Sequence, residues 1–188
     1  MNAFIEHPAG RLRLKSFGAE LLFGADEAEP IELELIERLQ SLPEGGLLVV
    51  DFDGVRVASE AGRQLLRRAL LRISGGELEQ RFIVLANLER CRYSMNSMLR
   101  QEQLTAVART SGGPQLLGQV DRVAAETFAY VASKDTVTAK MVFDHFGLQG
   151  IGAATNRLAT LARSALVRKM GPRSLPTGGR EYVFAAVQ

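Results

Sequence analysis

The sequence predicts an α/β half followed by a mainly helical half that ends in a basic hairpin. Three observations predict it. Short continuous apolar runs at residues 47–52 and 82–86 alternate with helical apolar periods, as buried strands do when helices separate them in an α/β layer. Beyond residue 120 these runs stop and three successive helical periods follow. From Gly150 to Arg180 the chain carries Arg157, Arg163, Arg168, Lys169, Arg173 and Arg180 and no Asp or Glu. Gly178-Gly179 then leads into an alternating strand, Glu181–Phe184.

In the first half, alternation in Arg11-Leu12-Arg13-Leu14-Lys15 predicts a half-buried strand. Leu33, Ile36, Leu39 and Leu42 then recur at helical spacing, with Glu32, Glu34 and Glu37 expected on the wet side, until Pro43-Glu44-Gly45-Gly46 ends the helix. Leu47–Phe52 predicts a strand buried on both faces. Ser59 is placed to cap a helix whose inner face is Leu65, Leu66, Ala69, Leu70 and Ile73. Phe82–Ala86 predicts a second buried strand, then a helix from about Arg90 to Arg109, and a last strand near Gln115–Gly118.

In the second half, Val123, Ala124, Thr127, Phe128 and Val131 predict a first helix that stops near Ser133-Lys134-Asp135. A second starts at Thr136-Val137-Thr138, turns Ala139, Val142, Phe143 and Phe146 inward, and ends on Gly147. The third runs from about Ile151 to Ala165 with Ile151, Ala154, Leu158, Leu161 and Ala162 as core positions. Its remaining face shows Gly152, Ala153, Thr155, Asn156, Arg157, Thr160 and Arg163, without a carboxylate. A solvated helix face usually mixes Glu with Lys. Small residues let a helix approach base edges closely, and Asn and Arg make bidentate contacts to adenine and guanine. A basic helix followed by a Gly-tipped basic hairpin is the layout of a winged helix-turn-helix, in which a helix enters the major groove and a wing follows the phosphates.

Bulk properties are compatible with this. At 188 residues the chain suits one large domain or two small ones, and the pattern divides it into 1–118 and 119–188. The formal net charge of +2 hides an asymmetry: residues 1–118 hold fourteen Lys/Arg against sixteen Asp/Glu, and residues 119–188 hold nine against five. With Cys91 as the single cysteine, neither an intrachain disulfide nor a cysteine-based zinc cluster can form. The first residues lack a signal-peptide pattern and no run reaches the roughly 18 apolar residues of a membrane span, so a cytoplasmic protein is expected.

Val49-Val50-Asp51-Phe52-Asp53-Gly54-Val55-Arg56-Val57-Ala58-Ser59 resembles the strand–loop–helix core of STAS domains, and more closely the STAS-like domains of unassigned function that read DF-x-GV-x-x-x-S here. The resemblance covers roughly residues 10–118 and implies a sensing or protein-interaction role. In the anti-sigma-factor antagonists of that family a Ser at this helix start is a phosphorylation switch. Here Ser59-Glu60-Ala61-Gly62 puts Ala61 in the usual phosphoacceptor slot. Ser59 therefore reads first as a helix cap, and it is the one candidate regulatory residue.

Chemistry is otherwise sparse. Asp51 and Asp53 share a strand face but sit where Asp commonly ends a strand. Gly75-Gly76 and Gly112-Gly113 lack the surroundings of a phosphate-binding loop. Cys91, between Arg90 and Arg92, reads as a small buried hydrophobe before it reads as a redox sensor. His7 and His145 show no metal-ligand spacing, and no GxSxG elbow is present. No catalytic residue, metal site or cofactor is expected.

The segment Thr138-Ala139-Lys140 … Ala154-Thr155-Asn156-Arg157-Leu158 … Leu161 … Ala165-Leu166-Val167-Arg168-Lys169 resembles winged helix regulators, many of which carry A-x-x-NRL-x-x-L-x-x-x-GLV-x-R over the recognition helix and first wing strand. Ala165 stands where Gly is usual, so a less sharply left-handed helix end is expected. The resemblance spans about residues 120–188 and implies that Thr155, Asn156 and Arg157 face DNA; Thr160 and Arg163 on the same helix face and Lys169 in the basic stretch join them as DNA-binding candidates. Residues 171–180 would form the wing, with Arg173 and Arg180 on phosphates or in the minor groove.

Together these readings predict a STAS-like α/β domain joined to a mainly α winged helix-turn-helix domain, in a transcription regulator that binds double-stranded DNA. A single winged domain buries only about 600–1,000 Å² on DNA, so a homodimer is expected. The alternative is a protein–protein adaptor in a kinase or anti-sigma-type partner switch, because winged helices also dock proteins. Charge on the third helix and wing favours DNA.

Overall fold

The computed structural model describes residues 9–18, 20–174 and 180–188. In chain order the elements are β1 (Ala9–Arg13), a 3-10 turn (Leu14–Phe17), β2 (Leu21–Leu22), α1 (Ala25–Ser41), β3 (Leu47–Asp51), β4 (Arg56–Val57), α2 (Ser59–Ser74), β5 (Phe82–Ala86), α3 (Arg92–Gln101), β6 (Thr105–Thr110) and β7 (Gly113–Gly118). Then follow α4 (Arg122–Ala132), β8 (Val137–Thr138), α5 (Ala139–Phe146), α6 (Ile151–Arg163), β9 (Val167–Ser174) and β10 (Arg180–Ala186). The α/β character read from the sequence holds.

Five strands form one sheet in the order β1-β3-β5-β6-β7, the first four parallel and β7 antiparallel to β6. Strands that follow one another in sequence and space, joined by right-handed crossovers, must place every connecting helix on the same face. The core agrees. Leu48, Val50, Ile83, Leu85, Ala106 and Ala108 point toward α1, α2 and α3 and pack with Leu35, Leu65, Leu66 and Met95. Alternation sends Leu47, Val49, Phe82, Val84, Ala86 and Val107 to the opposite face.

That opposite face is covered by the second half of the chain. The six residues share one apolar cluster with Phe128 and Val131 of α4, Val142 of α5, Leu158 and Leu161 of α6, and Val167 and Phe184 of the hairpin. The strand runs are buried on both faces because a helical half closes the layer that the crossovers leave open.

The second half has three helices and a three-stranded sheet ordered β8-β10-β9. Asp121 caps α4 by accepting the Ala124 N–H at 2.8 Å, and Thr138 caps α5 after leaving the short strand β8. Gly147 ends α5 in the left-handed region at φ 58°. Ala165 adopts φ 53°, so the turn after α6 is left-handed even without glycine, contrary to expectation. It is held there by the Leu166 N–H bond to the Leu161 carbonyl at 2.9 Å.

Several local expectations are corrected. The helix expected to reach Arg109 stops at Gln101, and Gln103 at φ 56° turns the chain into β6, whose apolar, β-branched run had been absorbed into the helix. Glu32 is buried on α1, accepting from the Gln64 amide, while Leu33 is exposed; the wet and dry sides of this turn are exchanged because α2 packs across it. Ser59 begins α2 instead of capping it: the cap position is Ala58, and no side chain bonds there.

Candidate nucleic-acid interface

On α6 the buried stripe is Ala154, Leu158 and Leu161. Ile151, expected in the core, is half exposed at 52% at the first position of the helix. Gly152, Ala153, Thr155, Asn156, Ala159, Thr160 and Arg163 form the open face, with no acidic side chain among them. The Thr155 hydroxyl donates back to the Ile151 carbonyl at 3.1 Å, and the residue is exposed. Asn156 is exposed.

Arg157 departs from the expected face. It is only partly exposed, and its guanidinium carbon lies 4.9 Å from the centre of the Phe146 ring. Phe146 in turn meets His145 edge-on at 4.6 Å, and His145 stacks on Tyr130 at 3.9 Å. Arg157 thus ends a row of rings linking α4, α5 and α6, and a cation over an aromatic face contributes about 0.5–2 kcal/mol. Its Nη1 is buried without a hydrogen-bond partner among the described residues. Beside it, Asn156 and Thr160 line a small cleft of about 220 Å³ against Asp121 and Val123 of α4.

Arg163 is exposed at the end of α6. Lys169 is exposed on β9, its ammonium 3.7 Å from the centre of the Tyr182 ring on β10. Tyr182 was not singled out in the sequence; it carries the wing cation, and the signal for it was its alternation with Glu181 and Val183. Arg173 and Arg180 are exposed near the described ends of the two hairpin strands, with Arg173 opposite Glu181 in register. The expected wing tip, residues 175–179, lies outside the described residues.

The candidates in the first half are structural by their contacts. The Asp51 carboxylate accepts from Arg11 Nε at 3.0 Å, from Asn87 Nδ2 at 2.7 Å and from the Asp53 N–H at 3.1 Å. Burial pushes this carboxyl up, but the Asn87 amide, the Asp53 N–H and the Arg11 guanidinium together hold it below its ordinary value. Asp53 is exposed and takes no part in an acid–base pair. Cys91 is buried, and burial, then the charge of Glu89, pushes its thiol up to about 12. A thiol so placed is protonated at neutral pH and a poor nucleophile. Ser59 is partly buried at the start of α2.

Among the described residues no group of three His, Cys, Asp or Glu side chains is arranged to hold a metal, and no helix is long and apolar enough to cross a membrane. Comparison with family models, with curated proteins and with solved structures gave no match.

Proposed function

We propose that residues 119–188 bind double-stranded DNA, with α6 in the major groove and the β9–β10 hairpin along the backbone, and that the chain is a transcription regulator. The observation that carries this reading is the open face of α6, where small and hydrogen-bonding residues lie together without a carboxylate. Thr155, Asn156 and Thr160 are the base-facing candidates; Arg163, Lys169, Arg173 and Arg180 are the phosphate candidates. The STAS-like half supplies the surface for a signal or protein partner, and a homodimer doubles the small footprint of one winged unit. The chain so read is cytoplasmic and no enzyme.

Fluorescence anisotropy of the full chain on mixed duplex across a salt series tests the reading. Four phosphate contacts give log K against log salt a slope of roughly −4. Absence of binding at low salt would move the second half into the adaptor class, with a protein as its partner.

A further inference from the structure

At the amino-terminal ends of β3 and β5 a cleft of about 750 Å³ runs between the first half and the end of α6. Ala162, Ala165 and Met170 supply apolar lining over the buried Ile73, Phe82 and Val167, and Arg163 and Arg168 line it as cations, with Lys169 beside them, its ammonium resting on Tyr182. The guanidinium carbon of Arg168 sits 5.2 Å from the centre of the Phe82 ring, and its Nε is buried with no hydrogen-bond partner among the described residues. Burial pushes the Arg168 pKa down. A guanidinium remains charged all the same, and this one is partly desolvated.

The neighbouring carboxylates do not supply that charge. Glu44 and Glu79 also line the cleft, exposed, and among the described residues no ion pair joins either of them to the three cations. They also set a selection rule. A polyanion such as a nucleotide or a phosphodiester backbone meets like charge across the cleft, whereas a ligand with one anionic group turned toward Arg168 does not. The volume lies within the roughly 300–1,000 Å³ of small-molecule sites.

We propose that this cleft binds a small organic carboxylate, its carboxylate on Arg168 and its apolar body against Ala162, Ala165 and Met170. Because both halves of the chain wall the cleft, the bound acid bridges them across the shared apolar layer. Arg163 and Lys169 are shared with the proposed DNA face; Arg168 is not, and it is the residue by which the two readings are tested apart.

The test is thermal unfolding and isothermal titration of the full chain with hexanoate and with benzoate, against chloride at equal ionic strength and against inorganic phosphate. Saturating carboxylate is expected to raise Tm by about 3 °C, with no comparable shift from phosphate. Arg168→Met is expected to abolish the shift. Ser74→Trp, at an exposed position on the cleft, is expected to abolish it with Arg168 intact, and the melting curve of each variant without ligand shows whether it folds. No saturable shift by either acid overturns the proposal. An equal shift in wild type and Ser74→Trp overturns the site, and a shift by phosphate alone overturns the ligand class.

Discussion

The two halves of this molecule carry similar kinds of cation and treat them differently. In the first half six of the thirteen arginines are tied to carboxylates among the described residues: Arg11 to Asp51, Arg38 to Glu34, Arg63 and Arg67 to Glu102, Arg68 to Glu32, Arg72 to Glu77. In the second half the described ion pairs are Arg122 with Glu126 and Lys140 with Asp144, on α4 and α5. On α6 and the hairpin the cations rest on aromatic rings or face solvent. Net charge therefore understates the contrast. An arginine held by a carboxylate in its own chain must lose that partner to meet a phosphate; one stacked on a ring or open to water need not.

The largest effect that could break this comparison is removal of one half. A fragment of residues 1–118 leaves Leu47, Val49, Phe82, Val84, Ala86 and Val107 uncovered. The lost burial is on the order of 10 kcal/mol, as much as the whole stability of a typical domain. We expect the fragment to aggregate or unfold, and co-expressed residues 119–188 to rescue it; circular dichroism and gel filtration decide. A soluble, cooperatively melting fragment would restore the autonomy that the sequence suggested.

Next is the buried carboxylate. Asp51→Ala strands Asn87 and Arg11 and is expected to cost about 2 kcal/mol in denaturant unfolding, less than a fully buried pair because Arg11 is half exposed. The folded pKa of Asp51 is depressed from its ordinary 3.8, so its contribution is complete well above that value and is lost as pH falls through the folded value. The stability difference between wild type and Asp51→Asn should accordingly shrink on acidification below about pH 4.

On the proposed interface, Asn156→Ala is expected to weaken sequence-specific binding by about 1–3 kcal/mol while leaving non-specific binding intact. Arg173→Ala is expected to weaken all duplexes alike and to flatten the salt slope by about 1. Wild-type behaviour from both variants removes the assigned face. The smallest effect is Ala165→Gly, which relieves a left-handed alanine and should stabilise the chain by about 0.5–1 kcal/mol in thermal melts, less whatever its partly buried methyl contributes.

What the sequence disclosed follows the range of the forces involved. The Gly147 stop, the paired apolar strands and the carboxylate-free stretch are local, and each is where the pattern placed it. Misreadings arose where a distant element decided. Glu32 is dry because Gln64 and α2 lie across it, and Arg157 leaves the open face because Phe146, eleven residues earlier, offers a ring. Arg11 meets Asp51 only because β1 pairs with β3. The missed strand β6 has another cause: its run follows a helix after one short turn, and nothing but the left-handed Gln103 separates the two periods.

The covering of one sheet face by a later part of the chain also has a consequence in time. The strands that form this face end at Thr110, so during synthesis they leave the ribosome well before the helices that cover them. At about 5–20 residues per second, the 70 residues from 119 to 188 take roughly 4–14 s to make. For that interval the nascent sheet presents an apolar surface with no native partner, a substrate for chaperones and for the same face of a neighbouring nascent chain.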